Sequence, residues 1–171
     1  MKKLSLLFVV LLFVGCEGPA GPRGPEGLPG PVGQAFEVEA NFNPSNGYSQ
    51  QFFFSDYGAE VLESDIVMVY WLYEGINENE IDVWQQLPAS VFFDDGGEMQ
   101  YSFDHTVDDV QLFLTGDINL DTLGPGYTKT QYFRVAILPV DYVKAKNINM
   151  SNMQEVMRAV DKRKIQRLHL N

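Results

Sequence analysis

Ile66-Val67-Met68-Val69-Tyr70-Trp71-Leu72-Tyr73 is the stretch on which the fold turns. It is nearly all apolar and rich in β-branched and aromatic side chains, which suit a pleated surface. Unlike a half-wet strand, it has no alternation of polar and apolar positions. It reads as a central strand buried on both faces.

Working outward, the neighbouring segments carry strand patterns of their own. Phe36-Glu37-Val38-Glu39-Ala40-Asn41-Phe42 alternates with period two, the mark of a strand with one wet face. The turn cluster Asn43-Pro44-Ser45-Asn46-Gly47 follows, then a second run from Tyr48 to Phe54. These two runs are expected to pair as a hairpin. On the other side come Val83 to Leu87 before Pro88, Val91-Phe92-Phe93 before the turn Asp94-Asp95-Gly96-Gly97, Met99 to Phe103, Val110 to Leu114, and Gln131 to Leu138 before Pro139. Short strands punctuated this regularly by Gly, Pro, Asn and Asp predict an all-β body over 35–171, an antiparallel β-sandwich.

One short helix is expected near 152–161. Ser151-Asn152-Met153-Gln154 has the form of a capping box, and Met153, Val156, Met157 and Val160 then share one face at helical spacing. Packing of that stripe on the sheet is the expectation, with a partner-binding methionine face as the alternative. Ile165 to Leu170 has the pattern of a terminal edge strand.

The N-terminal fifth has a different character. Met1-Lys2-Lys3 is a short positive segment, and Leu4 to Val14 is apolar apart from Ser5. Eleven helical residues reach about 17 Å, short of the roughly 30 Å hydrocarbon core, so residues 1–15 read as a signal peptide and not a permanent span. Phe13-Val14-Gly15-Cys16 resembles the bacterial lipobox, with Phe13 in place of the usual Leu. That predicts cleavage before Cys16 and acylation of its sulfur and amine. Several acyl chains on one residue hold a protein stably to a membrane, because each buried CH₂ contributes about 0.8 kcal/mol. The alternative is an ordinary secretory signal whose cleavage site contains a cysteine. Cys16 is the sole cysteine, so the body has no internal disulfide.

Behind Cys16 a period of three begins. Glycine stands at 18, 21, 24, 27, 30 and 33, with Pro19, Pro22, Pro25, Pro29 and Pro31 between, a Gly-X-Y pattern like that of collagen. Only glycine fits at the axis of three wound chains, and proline presets the extended dihedrals. Residues 16–34 thus read as a stalk, in one of two forms. As a semi-rigid spacer it holds the body roughly 50 Å off the membrane at about 3.1 Å per residue. As a short triple helix it makes a homotrimer.

Hydrophobic residues make up 45% of the 171 and aromatics 13%, enough for a real core. The net charge is -11, and loss of Lys2 and Lys3 with the signal leaves ten basic residues against 23 acidic ones. Such a chain is expected to repel nucleic acid and anionic headgroups. The charge is lopsided. Twenty acidic residues and one base, Arg23, lie between Glu17 and Asp121, while nine bases and three acids lie between Lys129 and Arg167. Either strand and helix surfaces simply differ, or a basic strip faces phosphate or an acidic partner.

Little in the sequence speaks of catalysis. His105 and His169 fall in different elements, the one thiol is expected to be acylated, and no Gly-x-Ser-x-Gly elbow or phosphate loop is present. The polar cluster Asp117-Ile118-Asn119-Leu120-Asp121 places oxygens at alternate positions, which would converge on Ca²⁺ if the loop curled. Thr122 and Thr128 stand where a calcium loop of the EF-hand type needs Gly and a bidentate Glu, so an acidic loop between strands is the plainer reading. Asp94, Asp95 and Glu98 form a weaker cluster of the same kind.

Taken together, Lys2-Lys3, the lipobox, the Gly-X-Y run, Asp82-Val83-Trp84-Gln85-Gln86-Leu87-Pro88 and Asp121-Thr122-Leu123-Gly124-Pro125 resemble the collagen-like lipoproteins of the Bacteroidota. The resemblance implies an outer-membrane lipoprotein and no reaction. Two function classes are carried forward. One is a non-catalytic binding or structural module, held off the membrane and contacting a protein or glycan ligand. The other is a calcium-dependent or hydrolytic envelope enzyme.

Overall fold

A computed structural model describes residues 32–74 and 82–166, with the backbone alone for Glu74 and for 162–166. The expected signal peptide, Cys16, the glycines from Gly18 to Gly30, His169 and the segment from Arg167 to Leu170 lie outside the described residues. No helix among the described residues is long and apolar enough to cross a membrane.

The body is all-β. Its strands are β1 (Gly33–Ala40), β2 (Ser49–Phe53), β3 (Asp65–Glu74), β4 (Val83–Gln86), β5 (Ala89–Phe92), β6 (Glu98–His105), β7 (Asp109–Gly116), β8 (Gln131–Pro139) and β9 (Val160–Gln166). Among the described residues three short α-helices join them: α1 (Pro125–Thr128), α2 (Val140–Lys146) and α3 (Met153–Ala159). Sheet A has the order β4-β3-β8-β1-β9, and sheet B the order β2-β7-β6-β5.

Period-two side-chain alternation gives β1, β3 and β8 of sheet A an inner and an outer row. The inner row contains Phe36, Val38 and Ala40 of β1, Val67, Val69 and Trp71 of β3, and Phe133, Val135 and Ile137 of β8. Sheet B answers with Phe52, Ala89, Met99, Tyr101, Val110, Leu112 and Leu114 in the same core. Tyr101 sits at its centre, its ring 4.4 Å from Trp71, 5.8 Å from Phe133 and 6.0 Å from Phe42. Full burial of a large apolar side chain is worth about 1.5–3 kcal/mol, so this layer carries most of the stability.

The outer row of sheet A is covered as well. Ala35, Met68, Tyr70, Ala136 and Leu138 pack with Val143 of α2 and Val156 and Ala159 of α3. The stretch from Ile66 to Tyr73 is therefore buried on both faces through Leu72, as its composition predicts. The middle of the sheet belongs instead to β8, which pairs antiparallel with both β1 and β3. Arg134 disguises β8 in the sequence by interrupting its apolar run.

The expected hairpin of the first two strands does not form. β1 pairs with β8 and β9, while β2 pairs with β7 in the other sheet. The turn between them is real: Asn43 caps a 3₁₀ turn over Pro44–Asn46, and Gly47 closes it in the left-handed region. Turn chemistry fixes where a chain bends and not which edge it joins, and both edges of β1 are already taken.

The helical layer also differs from expectation. The cap of α3 is Asn152, whose Oδ1 accepts from the amides of Gln154 and Glu155, so Ser151 lies one residue too early. Met153, Val156 and Met157 pack on the sheet as expected, but Val160 leaves the helix and opens β9. α2 was hidden because Pro139 reads as a stop, and proline serves equally well just ahead of a helix. β9 is an edge strand, but it starts at Val160 and runs parallel to β1.

The start of β1 moves the body boundary two residues earlier than the sequence suggests. Gly33, the last glycine of the Gly-X-Y period, is already a strand residue. A Cβ there would lie 2.4 Å from Leu138 Cδ2 and 3.0 Å from the Ile137 carbonyl oxygen. This glycine thus has a packing reason of its own.

Candidate functional site

β1 fixes a direction in the body. Its near end, at Gly33, adjoins the segment that leads back to Cys16. Its far end, at Ala40, lies about 24 Å away at roughly 3.4 Å per residue. Ala40 pairs with Gln131, and Trp71 pairs with Phe133, so the end of β3 and the start of β8 lie at the far end too. There the turn at 43–48, the turn at 94–97 and the long loop at 117–130 come together.

A polar network binds these loops to the core. The Gln131 Oε1 accepts from Trp71 Nε1 at 3.0 Å and from the Tyr101 hydroxyl at 3.2 Å. Its Nε2 donates to the carbonyls of Gly126 and Lys129 at 2.9 and 2.8 Å. The Tyr101 hydroxyl also reaches the Tyr127 carbonyl at 2.7 Å. Burial pushes the Tyr101 phenol far above its ordinary value, so it stays a neutral donor. Asn41 Oδ1 accepts from the Thr130 amide at 2.9 Å, and the Phe42 amide donates to the Thr128 carbonyl. Two non-glycine residues, Tyr48 and Thr130, are held here with φ of 57° and 54°. Such conformations cost about 1–3 kcal/mol each and persist where surrounding bonds enforce them.

Aromatic side chains surface around this network. Tyr73 continues the inner row of β3 beyond Trp71, its ring edge-on at 5.4 Å, and is 54% exposed. Tyr127 of α1 stacks edge-on with Phe93 at 5.4 Å and is 36% exposed. Phe92, at the end of edge strand β5, is 75% exposed. Rigid aromatic groups beside acidic loops make a surface suited to recognition, because their large area is offered with few rotamers to freeze.

The three candidate calcium ligands lie at this end, and each has a task in the loop. Asp117 Oδ1 accepts from the Glu98 amide at 2.7 Å, Asn119 Oδ1 caps a 3₁₀ turn by accepting from the Asp121 amide at 3.1 Å, and Asp121 Oδ1 accepts from the Tyr48 hydroxyl. The Tyr48 phenol is pushed up to about 12, first by that hydrogen bond and then by partial burial and the carboxylate charge. Among the described residues no three His, Cys, Asp or Glu side chains gather as a metal site. Of the weaker cluster, Asp95 Oδ1 accepts from the Gly97 amide and Glu98 Oε1 from the Ser90 hydroxyl.

The near end offers a different surface. An open groove of about 470 Å³ is lined by Phe53, Phe54, Ala59, Val61 and Val107, with Glu60 and Asp108 at its rim. His105 lies beside it on the β6–β7 turn, exposed, its Nδ1 3.0 Å from the Thr106 carbonyl. In that turn Asp109 accepts from the Thr106 hydroxyl and the Gln51 amide, and those bonds hold its carboxyl below the usual range. Tyr73 was missed in the sequence because its apolar run assigns it to the core. Nothing local shows that the opposite sheet ends before reaching it.

Comparison with protein-family models, with curated proteins and with solved structures finds no match.

Proposed function

We propose that this chain is a lipid-anchored lipoprotein of the bacterial outer membrane. In this reading residues 1–15 are removed, Cys16 carries the acyl chains, and a collagen-like segment acts as stalk for a non-catalytic, sandwich-like body. The body offers its far end to a protein or glycan ligand. The observation that carries the reading is directional: β1 opens at Gly33, next in sequence to the Gly-X-Y run, and ends about 24 Å away at the end where the aromatics are exposed. Tyr73, Phe92 and Tyr127 therefore lie at the end of the body away from the tether. The Gly-X-Y run adds the prospect of three such ends held together, and avidity without any new contact.

Two experiments test the two halves. For the anchor, the wild-type chain labelled with radioactive palmitate should fractionate with the outer membrane, and Cys16→Ala should lose the label and leave the membrane. An unlabelled wild-type chain overturns the lipoprotein reading. For the body, a photo-crosslinking residue placed in living cells at Phe92 or Tyr73 should give discrete adducts, and one at Phe53 should not. Adducts at Phe53 alone would move the site to the near-end groove.

A further inference from the structure

We propose that the side of the body built from α2, α3 and β9 is a docking face for an anionic phospholipid surface, so that the tethered body rests with this side toward the membrane. The inference takes the position of the membrane from the lipid-anchor reading and adds a contact to it.

The fold turns the lopsided charge of the sequence into a sided molecule. No Lys or Arg occurs between Gly33 and Thr128, a span that supplies every strand and turn of sheet B. Of the later bases, Lys129 lies at the far end and Arg134 is engaged by Glu37 within sheet A. Lys144 and Lys146 stand on α2, Arg158 on α3, and Lys162, Arg163 and Lys164 on β9, all in the outer layer and edge of sheet A. Lys144, Lys146 and Arg158 are exposed, and no carboxylate of the described residues pairs with them.

Within this face α2 and α3 enclose a shallow cleft of about 250 Å³ lined by Tyr142, Lys146, Ile148, Glu155, Arg158 and Ala159. Lys146 Nζ lies 5.8 Å from the centre of the Tyr142 ring. Ammonium, guanidinium and phenol around a cleft suit a phosphodiester headgroup, and the one carboxylate of the lining, Glu155, is engaged by the Asn149 amide and the Asn152 side chain. The tether arrives at the same place. The Val32 amide donates to the Ala159 carbonyl at 3.1 Å, and Ala159 lines the cleft. The segment leading to Cys16 therefore leaves the body beside its basic face.

The physics favours one orientation. An anionic leaflet repels the acidic body as a whole, but its field decays within about 8 Å at physiological salt. Juxtaposed basic residues on one side feel that field while the acidic sheet B lies beyond it. The stalk supplies a high local concentration, so a weak contact is enough to set the orientation.

The test uses the full chain bearing Cys16→Ser, so that acyl chains do not mask the contact, sedimented with phosphatidylcholine vesicles with and without phosphatidylglycerol. The signal segment is common to every chain compared. Binding should be about tenfold tighter to the anionic vesicles at low salt and should lose that preference near ~1 M salt. The surface variant Lys144→Glu/Lys146→Glu/Arg158→Glu should lose the preference with an unchanged circular dichroism spectrum, while Asp104→Lys on sheet B should keep it. Equal binding to both vesicles overturns the proposal, as does a triple variant that retains the preference. Light scattering that shows salt-sensitive self-association in place of lipid preference also overturns it, and makes a second copy the occupant of the face. The mass of Cys16 in the wild-type chain is read separately. An unacylated Cys16 with intact lipid preference removes the anchor and leaves the docking face.

Discussion

Sheets A and B share one core and differ in what lies behind them. Behind sheet A, two helices bury a second apolar layer, and a charged pair is enclosed among the strands. Arg134 donates from Nε and Nη2 to Glu37 Oε1, and its Cζ lies 4.0 Å above the Trp84 ring. Behind sheet B no helix packs among the described residues, and polar side chains such as Gln111 and Ser49 bond to each other in the open. The same period-two pattern therefore carries different energies on the two sheets. A polar group costs little to lose where water replaces its partner and much where protein encloses it.

The sharpest break of this contrast is a matched pair of truncations. Arg134→Ala should lower the unfolding free energy in urea by about 3–5 kcal/mol, because it breaks a buried ion pair with Glu37 and the packing of the guanidinium on Trp84. Gln111→Ala, at the corresponding wet face of sheet B, should change it by less than about 0.5 kcal/mol. Similar losses at the two sites would mean that the face of sheet A is wetter than its packing implies.

A smaller effect belongs to the seam between the sheets. Tyr101→Phe keeps the ring contacts and removes the hydroxyl that serves Tyr127 and Gln131. It should cost about 1–2 kcal/mol by thermal or urea unfolding, and proteolysis should show early cutting in the 117–130 loop.

Alkaline pH separates the sheets in another way. Burial pushes the Tyr70 phenol, on the covered face of sheet A, from 10.0 to about 12. A raised folded value for a group that ionises to an anion means stability is fully present below the unfolded value near 10 and is lost as pH rises toward 12. Stability measured against pH should fall through that window, and Tyr70→Phe should make the fall shallower. The hydroxyl's one hydrogen bond is a long contact to Met68 Sδ at 3.7 Å, so the variant should be nearly neutral at pH 7.

The smallest expected effect concerns calcium. With Asp117, Asn119 and Asp121 each engaged by the loop, millimolar Ca²⁺ should leave the melting temperature unchanged. Asp117→Ala should destabilise by about 1 kcal/mol with or without the ion, through the lost bond to the Glu98 amide. A calcium-dependent rise in melting temperature abolished by that variant would restore the metal reading.

The Gly-X-Y segment can be probed without harm to the body. A chain beginning at Val32 retains all of β1, whereas one beginning at Phe36 discards Gly33 to Ala35 and their pairing with β8 and β9. Light scattering on a chain of residues 17–171 and on the Val32 form should therefore assign any trimer to the Gly-X-Y segment or to the body.

Several elements were legible in the sequence for local reasons. The strands at 66–73, 99–103 and 110–114 declared themselves because composition and alternation reflect burial face by face. The turns at Asn43 and Asp94 did so because their capping and left-handed residues act within four positions. The cap of α3 was misplaced by one residue, since Ser151 and Asn152 are both good caps and only the bond to the Gln154 amide distinguishes them.

The sequence by itself determined the all-β class, most strand positions, the acidic character and the split of charge along the chain, because these depend on neighbours in sequence. Tertiary structure alone decided that β8 holds the middle of sheet A, that β1 and β2 part into different sheets, and that Glu37 meets Arg134 across 97 positions. It also decided that Tyr73 and Phe92 reach the surface and that α2, α3 and β9, which carry six of the late basic residues, form the outer layer and edge of sheet A. Each of these outcomes rests on contacts between distant segments. Strand partners compete on the packing of whole faces, and no local propensity encodes which face will be opposite.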